Sequence, residues 1–85
     1  MDCKLGDPTA IADRFREDAG HYAPSDRLTY AYSPTTKTES LLLPHLTGPD
    51  ALVILQLGCD EIKGMSDDEL VATVSAHQCR FLENR

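Results

Sequence analysis

Hydrophobic and polar positions alternate with different periods along this chain, and each period predicts a different element. Near the N-terminus, Ile11 and Phe15 fall on one helical face with Ala12 and Ala19 beside them, while Asp13, Arg14, Arg16 and Glu17 solvate the rest. Asp7-Pro8 supplies an N-cap followed by proline at the first helical position, and Gly20 stands just past the end. These signals predict a helix from about Pro8 to Ala19.

From Arg27 to Ser33 the period drops to two: Leu28, Tyr30 and Tyr32 point one way, Thr29 and Ala31 the other. Ser33-Pro34-Thr35-Thr36 has turn chemistry, and Lys37 to Leu43 runs back as a second strand, giving an antiparallel hairpin over about residues 27–43. Its end, Leu41-Leu42-Leu43-Pro44, puts leucines on both faces, so the hairpin needs cover on both.

Helix and strand compete in the next segment. Ala51 to Leu57 is a continuous apolar run, which suits a buried strand, yet Pro49 and Asp50 suit the first turn of a helix. Leu52, Leu55, Cys59 and Ile62 keep helical spacing and Lys63-Gly64 is an ordinary helix ending, which favours a helix over about 49–63. Val53, Ile54 and Leu57 lie off that stripe, so such a helix is apolar on more than one side.

Ser66-Asp67-Asp68-Glu69 is a capping box in front of the periodic run Leu70 to Leu82, and its two aspartates favour the positive end of the helix that follows. Leu70, Val71, Val74, Phe81 and Leu82 fall within a sector of about 120°, at about 100° per residue, with Gln78 near its centre. The reading is α+β: one small domain in order α-β-β-α-α, with one antiparallel hairpin and a C-terminal helical hairpin made by helices at about 49–63 and 67–83.

Length and charge narrow the function. A chain of 85 residues buries only about 60 to 65% of the surface that its unfolded form exposes, so its core is thin and association would help it. Net charge is -6, with five acids against three bases up to Pro24, two against two from Ser25 to Gly48, and seven against three from Pro49 onward. No cluster of lysine and arginine is present to neutralise phosphates, which argues against direct nucleic-acid binding. Cys3, Cys59 and Cys79 form an odd set without a Cys-x-x-Cys pair, and Met1-Asp2-Cys3-Lys4 lacks the character of a secretion signal. The expectation is a soluble cytoplasmic protein with no membrane span.

Candidate chemistry is sparse. Cys59, His77 and Cys79, with Asp60 or His45 as a fourth ligand, could make a soft metal site, but His77 and Cys79 diverge by about 200° around a helix. Ser66 is occupied as a cap, no Gly-x-Ser-x-Gly elbow occurs, and the glycines never form Gly-x-Gly. The sequence therefore predicts no catalytic residue, metal or cofactor.

Two surfaces remain. Asp60, Glu61, Asp67 and Asp68, with Tyr30 and Tyr32 on the hairpin, are the candidate partner-binding residues, because acidic charge steers a basic partner such as a nucleic-acid-handling protein. Leu41, Leu42, Leu43, Val53, Ile54 and Leu57 are the candidate oligomer interface, most simply of a homodimer. The function expected is a small acidic non-enzymatic protein that binds another protein, as an inhibitor or adaptor occluding its surface. Such proteins are common among phage and mobile-element antagonists of host defence, anti-CRISPR proteins included, though no motif here ties the chain to them. A self-assembling structural subunit and a small Cys/His metalloprotein or enzyme are the alternatives.

Overall fold

The alternation from Arg27 to Ser33 produces the strand around which the rest of the chain is arranged. The computed structural model describes residues 5–46 and 48–83, the side chain of His45 excepted. In chain order these form helix α1 (Pro8–Ala19), strands β1 (Arg27–Ser33) and β2 (Thr38–Leu42), a 3₁₀ turn at Pro44–Leu46, strand β3 (Leu52–Gly58), a short helix α2 (Cys59–Gly64) and helix α3 (Asp67–Glu83). The class is α+β, and the order is α-β-β-β-α-α.

The additional strand corrects the reading of 49–63 as one helix. Pro49 and Asp50 lie in a turn, closed by the Ala51 amide donating to the Gly48 carbonyl at 3.2 Å, and only Cys59–Gly64 is helical. The physical reason lies in β1. A strand buried on both faces needs a partner on each edge, and the uncharged run with its β-branched Val53 and Ile54 supplies the second one. A helix would have left Val53, Ile54 and Leu57 off its apolar stripe. As a strand, the same run buries Ile54, Leu55 and Leu57. The expected C-terminal helical hairpin is correspondingly reduced to the six-residue α2 ahead of α3.

Strand order is β2-β1-β3, with both pairings antiparallel. Tyr30 stands opposite Leu41 on one side and Leu55 on the other, and Leu28 stands opposite Leu57. A bulge between Tyr30 and Ala31 moves the register, so that Ala31 faces Val53 and Ile54 has no residue opposite it. The Leu28 and Tyr30 side of the sheet packs with Phe15, Ile62, Leu70 and Val74 in one core that α1, α2 and α3 share. On the opposite side, Thr29 and Ala31 are also buried, and the 3₁₀ turn packs against β1.

Local signals explain the ends of the helices. Asp7 Oδ1 accepts from the Thr9 amide at 3.0 Å, as an N-cap does. The Glu69 amide donates to Ser66 Oγ at 3.2 Å, which is the serine half of the capping box. Between β1 and β2 the chain turns through Lys37 at φ 55, in the left-handed region that a side chain disfavours.

Two substitutions test this account by chemical denaturation. Phe15→Ala removes a fully buried ring and is expected to cost about 3 to 5 kcal/mol, a large part of the total stability of a domain this small. Lys37→Gly relieves the left-handed position and is expected to be neutral or stabilising by up to about 1 kcal/mol.

Candidate functional site

Beneath the helices, a chain of polar groups crosses the core. Gln78 is fully buried, and its Nε2 donates to the Tyr30 hydroxyl at 3.3 Å and to the Gly6 carbonyl at 3.4 Å. The Tyr30 hydroxyl donates in turn to Glu39 Oε2 at 2.8 Å. A side chain at Gly6 would run into the Glu39 carboxylate, so the chain entering α1 packs directly against this group. Burial raises the Tyr30 hydroxyl far above its ordinary value of 10; the bond from Gln78 lowers it and the Glu39 carboxylate raises it further. Gln78 Oε1 has no partner, which leaves one desolvated acceptor in an otherwise bonded network. Tyr30 is thus a core residue, and its expected place in a partner-binding surface is corrected: its hydroxyl is spent on Glu39 and its ring on the core. Tyr32 is half-buried, with its ring edge-on to Phe81 at 6.0 Å.

The acidic residues divide between two places. Asp67 Oδ1 lies 2.6 Å from Arg16 Nε, while Arg16 also donates from Nη2 to the Met65 carbonyl. The Nε contact is an ion pair without hydrogen-bond alignment, because the same nitrogen has no hydrogen-bond acceptor. Together these contacts fasten α1 to the turn between α2 and α3. A groove of about 600 Å³ runs along α1 and α3, edged by Asp7, Asp13, Asp67 and Asp68. Three of these four acids have structural work: Asp7 caps α1, and Asp67 and Asp68 lie in the first turn of α3, where they complement the helix dipole. Asp60 and Glu61 are exposed on α2, on a different element from Asp67 and Asp68. Glu61 stands 3.8 Å from Arg27 at the start of β1.

The apolar candidates also separate. Leu41, Ile54 and Leu57 belong to the core, which corrects their expected place in an oligomer interface: the sheet packs them under the helices and between strands. Leu42 and Leu43 are half-buried. Val53 is 57% exposed, and its neighbour Leu52 is 46% exposed. Both lie on β3, an edge strand whose outer backbone groups meet no other strand among the described residues. From Ala51 to Cys59 this edge carries no charge, whereas the other edge, β2, carries Glu39 and follows Lys37. Natural edge strands are normally blunted by charge, proline or cover, and β3 has neither charge nor proline. Leu52 was not among the candidates; its exposure follows from the strand assignment, which the helical reading concealed.

The soft metal set does not assemble. Cys59 is a fully buried free thiol raised by that burial, His77 Nδ1 lies 2.9 Å from the Thr73 carbonyl within its own helix, and Cys79 is held in a disulfide. Among the described residues no three metal-ligating side chains converge. Cys3 and the His45 side chain lie outside the described residues. An odd cysteine count is compatible with one bridge and one buried thiol, so it carries no inference about redox compartment. Among the described residues no helix is long and apolar enough to cross a membrane. No protein-family model, curated protein or solved structure matches the chain.

The buried network makes two predictions. Tyr30 stays protonated in the folded chain at pH values where the unfolded chain has lost that proton, so stability falls as pH rises above about 10, by up to about 1.4 kcal/mol per unit. Urea titrations of wild type and Tyr30→Phe between pH 8 and about 11.5 check this, the variant showing a shallower decline. Gln78→Met keeps the volume and removes the orphaned Oε1 along with two long hydrogen bonds. It is expected to fall within about 1 kcal/mol of wild type, whereas a well-satisfied buried amide would cost more.

Proposed function

We propose that this chain is a non-enzymatic protein-binding domain, an inhibitor or adaptor, that covers a surface of its partner by accepting an extended segment along β3. The observation that supports this reading is the edge itself: an uncharged strand that, among the described residues, pairs only with β1, and that exposes Leu52 and Val53. Strand addition draws its affinity from main-chain hydrogen bonds and its selectivity from alternate side chains. It requires no catalytic group or cofactor. The acidic α1–α3 groove serves less well as the binding face, because three of the four carboxylates that edge it already cap a helix, pair with Arg16 or complement a helix dipole.

The test compares capture of the partner from the native lysate by wild type, Val53→Lys and the double variant Asp67→Asn/Asp68→Asn. Val53 is exposed, so its replacement should leave stability within about 0.5 kcal/mol while reducing capture at least about tenfold. The double variant should lower the melting temperature, through loss of the Arg16 pair and of first-turn charge, and leave capture per folded molecule unchanged. Capture that survives at Val53→Lys and disappears in the double variant would transfer the binding face to the groove.

A further inference from the structure

The two ends of β3 describe the segment it accepts. Asp50 precedes the strand, and Asp60 and Glu61 follow it, with no charged residue between Ala51 and Cys59. Asp50 accepts from Ser33 Oγ at 2.5 Å, and the Ser33 and Thr35 hydroxyls hold its carboxyl below the usual range. At the other end Asp60 is exposed, and Glu61 is shared with Arg27 at 3.8 Å. A seven-residue strand is about 23 Å long, more than twice the roughly 8 Å screening length at physiological salt, so the two ends act as separate charges.

Resting on the strand-addition reading, we propose that β3 receives an extended segment of another protein that is apolar at its centre and carries lysine or arginine at both ends. Its alternate apolar side chains would meet Leu52 or Val53, and its terminal cations would reach Asp50 and Asp60. A second copy of this chain fits worse. Antiparallel pairing of two β3 strands about Leu55 brings Asp50, in the turn before the strand of one copy, to the same end as Asp60, in the first turn of α2 of the other, between molecules that each carry a net charge of -6.

The experiment titrates the full chain with two labelled peptides, Lys-Thr-Val-Thr-Val-Thr-Val-Thr-Lys and the same sequence with glutamate at both ends. Binding is read by fluorescence anisotropy and located by amide NMR shifts. The lysine-ended peptide should shift the amides of Leu52–Gly58, bind at least about tenfold more tightly than the glutamate-ended one, and lose most of that advantage between about 50 and 300 mM salt. Asp50→Asn and Asp60→Asn should each weaken it about threefold and leave the glutamate-ended peptide unaffected or bound more tightly. Equal binding of both peptides at β3 would overturn the charge requirement while leaving strand addition standing. Absence of a β3 shift with either peptide overturns both. A concentration-dependent dimer that protects the β3 amides and dissolves in Val53→Lys would replace the partner segment with a second copy.

Discussion

Burial of β1 on both faces is the constraint from which the rest of this structure follows. Leu28 and Tyr30 turn toward the helices, Thr29 and Ala31 turn the other way, and all four are nearly inaccessible to solvent. A strand in that position cannot leave its amides and carbonyls unpaired on either edge, since each orphaned group would cost free energy comparable to a lost hydrogen bond. The hairpin return supplies β2 for one edge, and the chain has to come back after Pro44 to supply β3 for the other. The three helices can then share one face of a three-stranded sheet. Two edges remain, and they differ in chemistry.

The polar chain from Gln78 through Tyr30 to Glu39 joins the layers at a point where apolar packing alone would have served. It connects α3, the central strand and β2, and it brings Gly6 against the same carboxylate. Arg16 performs a comparable task at the surface, where it binds the turn before α3 to α1 through a carbonyl and a carboxylate. A domain of this size has few apolar contacts with which to specify the relative placement of its helices. These directional bonds help fix that placement, which accounts for a glutamine at the centre of an otherwise apolar helical stripe.

Much of the fold was legible because local chemistry and burial agree in its clearest segments. Asp7-Pro8, the alternation at 27–33 and Ser66 before Leu70 each say locally what the tertiary structure also requires, and α1, β1 and α3 stand where those signals put them. Gln78 could be placed near the centre of the buried stripe by periodicity alone. Ala51 to Leu57 was ambiguous for a physical reason: a run without polar interruption has no period, so neither helix nor strand is encoded locally. The unfilled edge of β1 decided it, and that is a nonlocal requirement. The same ambiguity concealed Leu52, whose exposure exists only in the extended form; Tyr30 stood among the partner-binding candidates for a separate reason, the enrichment of tyrosine at interfaces, and its own strand gives no local sign of what covers it. Its partner at the end of the hydroxyl, Glu39, lies in the next strand, and its cover comes from α3 far along the chain.

Charge and the free edge then stand in a definite relation. The chain carries a net charge of -6, yet none of its charged residues falls on β3, where like charge would most directly block edge-to-edge association. Acids stand instead at the ends of the strand, as Asp50, Asp60 and Glu61, and along the α1–α3 groove, where Asp7 caps a helix and Asp67 pairs with Arg16. An edge intended only to be inert would carry lysine or proline within it. On the strand-addition proposal, an uncharged edge bounded by carboxylates would discourage a second copy by repulsion at its ends and leave the outward backbone groups of β3 to a strand of opposite terminal charge.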